Sequence, residues 1–330
     1  MFAQRIFVAG KFRTCSVDII QYSVQRIHRK MSNNTISEYL QIFDKRIFFD
    51  IASEGCGNGC VYCFTKNPRL AQSLLPIRVV DELCEAILNL PDCQDSVISF
   101  CPNTEPMKSV KSRELIYYAI CKLQKNVKSI QIATKEEIPV DFLEQINKIA
   151  TIPLKIRISV SMPYLDFLNQ IEPHAAHIAN RLNNFRNIRQ FSNLVSILYL
   201  RPFNEQMMKN RKRYVEIINK YNPDDICVGA EFVPKQAEDQ LCTFMYDSSI
   251  APSIFTGAPI EDIFSFVDFL RMETGRKFFF SSICNIANNI RDYGCILKLY
   301  KYDKRYCKDC VMQKDNGYEY YKDNETNIKI

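Results

Sequence analysis

Three cysteines crowd into one short stretch, Glu54-Gly55-Cys56-Gly57-Asn58-Gly59-Cys60-Val61-Tyr62-Cys63, with the pattern Cys56-x3-Cys60-x2-Cys63. Gly55, Gly57 and Gly59 restrict the backbone so little that this loop can turn three thiolates toward one point. Thiolates serve both zinc and iron–sulfur clusters. Three ligands rather than four leave a coordination position open, which suits catalysis better than a closed structural site. A second, looser set is Cys284-x10-Cys295-x11-Cys307-x2-Cys310, whose last pair has metal-ligand spacing. Four thiolates there would close a zinc site or hold an auxiliary [4Fe–4S] cluster. Of the 14 cysteines, seven thus fall into two clusters, and the chain shows no export signal, so inorganic ligands explain them better than a disulfide framework.

The elements that must position these residues read as strands alternating with helices. The apolar run Ile47–Ala52 stops at Gly55 and suits a buried strand, which puts the first cysteine loop at that strand's C-terminal end. Further strands are expected at 97–100, 129–133, 155–160, 194–200 and 226–229. Helices are expected between them at 76–90, 109–125, 140–149, 172–188 and 209–220. Six strands with intervening helices over residues 46–231 imply right-handed crossovers and a mostly parallel sheet. Loops beyond the strand C-termini then share one rim and can build a site together. Residues 1–45 read as an N-terminal extension with a short helix over 17–30. Residues 232–330 read as an accessory region carrying the second cysteine set.

The three-cysteine spacing, with Tyr62 just before the last cysteine, resembles the signature of the radical S-adenosylmethionine superfamily. The resemblance implies an α/β fold, a partial (β/α)6 radical-SAM barrel with a C-terminal cysteine-rich extension. It implies a [4Fe–4S] cluster on Cys56, Cys60 and Cys63, with S-adenosyl-L-methionine on the fourth iron and a 5′-deoxyadenosyl radical that abstracts hydrogen. Ser99–Pro106 resembles the segment that holds the cofactor's amino group, with Thr104 and Glu105 as its polar candidates. Lys135, in Ala133-Thr134-Lys135, is the candidate for the cofactor carboxylate. Arg157, Ser159 and Ser161 alternate along one strand, so one face offers all three to cofactor or substrate. Cys101 is the candidate catalytic thiol, because its expected rim position allows thiol or hydrogen-atom chemistry. The Thr-Glu-Pro, Ala-Thr-Lys and Leu-Arg-Pro elements are similar to those of the spore photoproduct lyase-like branch. An electron donor such as flavodoxin or ferredoxin is also implied.

Composition narrows the class without naming the substrate. An apolar fraction of 47% over 330 residues is that of a globular chain with a sizeable core. No run of about 18 uncharged apolar residues is present, so a membrane span is not expected and a cytoplasmic location is. The 43 basic and 37 acidic residues leave a charge of +6, which permits an anionic partner without requiring one. Basic residues gather at 211–213 and 298–308, a solvated face or a nucleic-acid contact. The leading expectation is a radical enzyme acting on a peptide or protein. Its alternatives are a nucleic-acid modification or lesion-repair enzyme and a noncatalytic metal-binding protein. His174 and His177 are three apart and would share a face if that stretch were helical, but exposed helix residues explain them more simply.

Overall fold

A computed structural model of the chain describes residues 39–43, 45–63, 71–150, 156–229, 231–234, 253–256 and 260–280. The expected N-terminal helix over 17–30 and Cys284, Cys295, Cys307 and Cys310 lie outside the described residues.

One seven-stranded sheet organises the fold. Its strands are β1 (Leu40–Phe43), β2 (Arg46–Phe49), β5 (Val97–Phe100), β6 (Ser129–Thr134), β7 (Ile156–Ser161), β8 (Leu194–Leu200) and β9 (Asp225–Val228), in the spatial order β1-β2-β5-β6-β7-β8-β9. β1 runs antiparallel to β2, and every later pair is parallel. Two short strands, β3 (Ala52–Glu54) and β4 (Ser73–Leu74), pair with each other beside the end of β2. The six parallel strands follow chain order, so right-handed crossovers send every connecting helix to one side. The result is a mixed α/β fold whose sheet resembles a partial barrel in strand order.

Register separates the two faces of that sheet. Ile47, Phe49, Ile98, Phe100, Ile130, Ile132, Ile158 and Val160 present one apolar face, all buried. The other face aligns Ser99 with Gln131 and Gln131 with Arg157, and one step higher sets Ser159 beside Ala133. These polar side chains are buried too. Strands covered on both faces look almost continuously apolar in sequence.

The helices follow local chemistry. α1 (Ile77–Leu88) buries Val80, Leu83, Cys84, Ala86 and Ile87 along one stripe. α2 (Val110–Leu123) starts at Ser109, whose hydroxyl accepts from the Ser112 N–H in a reciprocal cap. α3 spans Val140–Ile149. The helix expected over 172–188 starts later, as α5 (Ile178–Ile188), after a separate short helix α4 (Leu168–Ile171), with Pro173 in the turn between them. His174 therefore lies in that turn and His177 is the cap residue of α5, so they do not share a helical face. The helix expected over 209–220 forms as α7 (Arg211–Tyr221), preceded by a short helix α6 (Glu205–Lys209) that ends at Asn210. α8 (Ile260–Thr274) packs on α6 and α7, with the Phe266 ring 5.8 Å from Tyr214 and 5.4 Å from Phe203. The chain then returns to the sheet, where Cys227 bridges Phe279 in parallel. β10 (Glu231–Pro234) and β11 (Ser253–Thr256) form a separate antiparallel pair. Among the described residues no helix is long and apolar enough to cross a membrane.

Candidate functional site

The cysteine loop begins where β2 and then β3 end, at the C-terminal rim of the parallel sheet. Gly55 has a φ of +77°, and a Cβ there would lie 2.1 Å from the Ala71 carbonyl oxygen, so only glycine fits against the returning chain. Gly57 and Gly59 also take positive φ, and a turn with Cys63 N–H donating to the Cys60 carbonyl at 3.1 Å closes the loop. Cys56, Cys60 and Cys63 are half-buried thiols outside any disulfide. Burial, aided by the nearby Glu105 charge and opposed by Lys135, pushes the Cys56 thiol up to about 12; burial raises Cys60 as well. Without a metal Cys56 and Cys60 are neutral thiols, and a ligand that takes them as thiolates must displace their protons.

Beneath the loop lies a network of buried charges. Glu105 follows β5 and is 3% exposed. Its Oε1 accepts from the Met107 N–H at 3.1 Å and from the Thr134 hydroxyl; its Oε2 accepts from Asn58 Nδ2 at 3.1 Å and the Lys135 N–H at 2.9 Å. Four donors saturate this carboxylate, so it acts as a clamp joining the cysteine loop to β5 and β6. Lys108 donates to Asn58 Oδ1 at 3.1 Å, to Glu136 Oε1 at 2.6 Å and to the His174 carbonyl. The Lys135 ammonium sits 5.4 Å from the Tyr62 ring centre and 4.0 Å from Glu172 Oε1. Burial opposes its charge, but the Cys60 and Cys56 sulfurs as thiolates, with the Glu172 and Glu105 carboxylates, outweigh burial and raise its pKa. The Tyr62 hydroxyl donates to Glu172, which is fully buried and paired with Arg181 at 2.5 Å. Arg181 also donates to the Ser161 carbonyl at 2.9 Å and the Ala176 carbonyl at 2.8 Å.

The expected site residues fall into two groups. Cys56, Cys60, Glu105 and Lys135 share this network. Thr104 donates to Asp50 Oδ1 at 3.3 Å instead, and Asn103 Nδ2 donates to Asp50 Oδ2 at 3.0 Å. Cys101 is buried behind the loop with a φ of 54°, and burial holds its thiol well above the ordinary range, so it is a protonated thiol rather than a nucleophilic thiolate. Arg157 lies toward the N-terminal end of β7, where its guanidinium pairs with Asp225 at the start of β9; it is spent there rather than brought to the cysteine rim. Ser159 and Ser161 are buried higher on the same face. Asn58, Lys108, Glu172 and Arg181 were not anticipated. Asn58 had a signal, its place between two cysteines, whereas the other three had no local pattern to mark them.

One metal ion would need its ligand atoms crowded around a single point, and among the described residues no three His, Cys, Asp or Glu side chains are so gathered. A four-iron cluster makes a different demand, one thiolate per iron. Three thiols on one glycine-rich turn, with a half-buried ammonium acting on two of them, fit that donor chemistry.

No family model matches the chain. Among solved structures it superimposes on spore photoproduct lyase complexed with a dinucleoside spore photoproduct at a TM-score of 0.51, with 11% identity over 67% of this chain and 72% of that one. A variant of the same lyase with bound AdoMet and dinucleoside spore photoproduct also gives 0.51, with 12% identity over 69% and 74% of the two chains. In sequence, 71 residues are 31% identical to a probable dual-specificity RNA methyltransferase RlmN of Kocuria rhizophila, covering 21% of this chain and 19% of that protein. The match thus spans only about a fifth of that curated relative's length. The chain has a distant link to radical S-adenosylmethionine proteins. What the solved structures share with it is the fold.

Proposed function

We propose that the protein is a radical S-adenosylmethionine enzyme acting on a nucleic acid, in modification or lesion repair. The observation that carries the reading is the glycine-rich three-thiol loop at the C-terminal rim, clamped by Glu105 and faced by the half-buried Lys135 ammonium. The expected peptide substrate gives way to nucleic acid, because the lyase and the methyltransferase described above bear nucleic-acid names, one a structure with a dinucleoside spore photoproduct and the other an RNA methyltransferase.

Cys56, Cys60 and Cys63 would hold a [4Fe–4S] cluster. With S-adenosyl-L-methionine on its open iron, this cofactor pair supplies a 5′-deoxyadenosyl radical for hydrogen abstraction. Lys135 offsets the negative charge that three thiolates bring into a buried place, and it is the cation on hand for a cofactor carboxylate. Glu105 is fully engaged by protein donors, so its part is to fix the loop, while Thr104 and Asp50 anchor the segment that carries it. Ser159 and Ser161 line the polar face below the rim. Cys101, a buried neutral thiol, keeps an S–H for hydrogen-atom chemistry. Flavodoxin or ferredoxin in the cytoplasm is the matching electron donor. Cys284, Cys295, Cys307 and Cys310 are our proposal for an auxiliary cluster, with zinc as the alternative.

Anaerobically prepared protein should release 5′-deoxyadenosine when reduced with S-adenosyl-L-methionine, and Cys56→Ala, Cys60→Ala or Cys63→Ala should abolish it. Deuterated DNA, RNA and peptide probes then identify the substrate by label transfer into 5′-deoxyadenosine. Unchanged turnover in the triple cysteine variant defeats the mechanism, and label arriving only from peptide defeats the substrate class. Iron, sulfide and zinc content of the same samples reports on the C-terminal set.

A further inference from the structure

Phe167 is 61% exposed, yet the fold holds its backbone where a bulky residue seldom sits. It is the residue before α4, at φ of 55° and ψ of 24°, in the left-handed region that side chains disfavour. Its neighbours fix that conformation. The Asp166 carboxylate accepts from Arg213 Nη1 at 2.6 Å and from Asn210 Nδ2 at 2.7 Å. The Phe167 carbonyl accepts from the Gln170 N–H at 2.9 Å and the Ile171 N–H at 3.1 Å. The ring gains no burial from this arrangement, so a braced turn carries an aromatic side chain out into solvent. That turn stands against the cysteine loop: the Tyr164 and Tyr62 rings are 5.4 Å apart, and the Val61 N–H donates to the Ile171 carbonyl at 3.0 Å. Val61 is itself 71% exposed, so the single turn of α4 separates two exposed apolar side chains at the rim.

The basic run Arg211-Lys212-Arg213 opens α7 and is tied to the same turn through the Arg213–Asp166 pair. Lys212 and Arg213 are exposed, while Arg211 lies over the Phe269 ring at 4.4 Å. An aromatic face beside cations is how proteins hold an unpaired nucleotide, the ring stacking on the base and the cations meeting the phosphates. We propose that Phe167 is a stacking platform for an unpaired base of the nucleic-acid substrate, with Lys212 and Arg213 meeting the adjoining phosphates beside the cysteine rim. The inference rests on the reading that the substrate is a nucleic acid. It adds which feature of that substrate is recognised, a base face and its phosphate chain.

The chain contains no tryptophan, so Phe167→Trp puts a single indole fluorophore at the platform. In the full chain, reconstituted anaerobically, oligothymidine and oligouridine should quench its emission, and an abasic oligomer of the same length should not. By fluorescence anisotropy, Phe167→Trp should keep wild-type affinity. Phe167→Ala should bind the base-bearing oligomers about 5- to 100-fold more weakly and the abasic one as wild type does. Its melting temperature should not change, because the ring is exposed. Lys212→Gln should weaken binding of all three oligomers and reduce the slope of log affinity against log salt by about 0.7. If Phe167→Ala does not fold, the quenching of Phe167→Trp decides alone. Oligomers that bind wild type and Phe167→Ala equally, or that leave the indole unquenched at saturation, overturn the proposal and leave the nucleic-acid reading standing. A wild-type chain that binds no oligomer overturns both. Slower reduction of the cluster by flavodoxin in Phe167→Ala, with oligomer binding unchanged, assigns the patch to a protein partner and overturns the proposal as well.

Discussion

Replacing Asp50 by asparagine should remove a pH dependence that the wild-type fold carries. Asp50 follows β2, is 8% exposed, and accepts from Asn103 Nδ2 at 3.0 Å and Thr104 Oγ1 at 3.3 Å. Burial raises its pKa from 3.8 to about 6, against the lowering effect of those hydrogen bonds. A displacement of that size corresponds to about 3 kcal/mol. The sign follows from which state holds the proton. Between the two values the folded protein keeps Asp50 protonated while the unfolded chain has lost the proton, so stability falls as pH rises through this window. The cost is complete above the folded value and absent below the unfolded one. At about pH 4.5 roughly 1 kcal/mol of it is already in force, which leaves about 2 kcal/mol to appear by about pH 7.5. Urea denaturation of wild type and Asp50→Asn at both pH values isolates this term, because the other carboxylates titrate alike in both proteins. Wild type should lose about 2 kcal/mol relative to the variant across that interval. Parallel stability curves for the two proteins would refute the assignment of a buried, mostly desolvated carboxylate to Asp50.

Two further substitutions test the surroundings of the loop. Arg181→Met strands the fully buried Glu172 carboxylate without its 2.5 Å partner and should cost about 3–5 kcal/mol, while adding Glu172→Gln should recover much of that loss in the same urea titration. Gly55→Ala drives a methyl group to 2.1 Å from the Ala71 carbonyl at a φ of +77°, so it should cost about 1–3 kcal/mol and reduce iron uptake on reconstitution; full uptake with an unchanged melting temperature would remove the steric argument.

Local chemistry made part of this protein legible from residues alone. Thiols at fixed short spacing among glycines declare themselves because the ligand set is contained in one turn. The six parallel strands declare themselves because each is a short run covered on both faces. Helix α3 was legible for the same reason, being decided by neighbours a few residues apart. Composition set the charge and the size of the core but was silent on the substrate.

The partners of buried charges were decided only by the tertiary structure. Glu105 meets Asn58, Thr134 and Lys135; Arg157 meets Asp225; and Tyr62 meets Glu172, 110 residues away. A carboxylate removed from water must find donors, but which donors are in reach depends on strand register and on how loops return over the rim. The same dependence delayed the start of the helix expected over 172–188 to Ile178, where Pro173 and the buried Glu172–Arg181 pair hold the preceding residues in a turn. Sequence thus determined which residues could do chemistry. The assembled sheet decided which of them face the cysteine loop and which, like Arg157, are spent holding strands together.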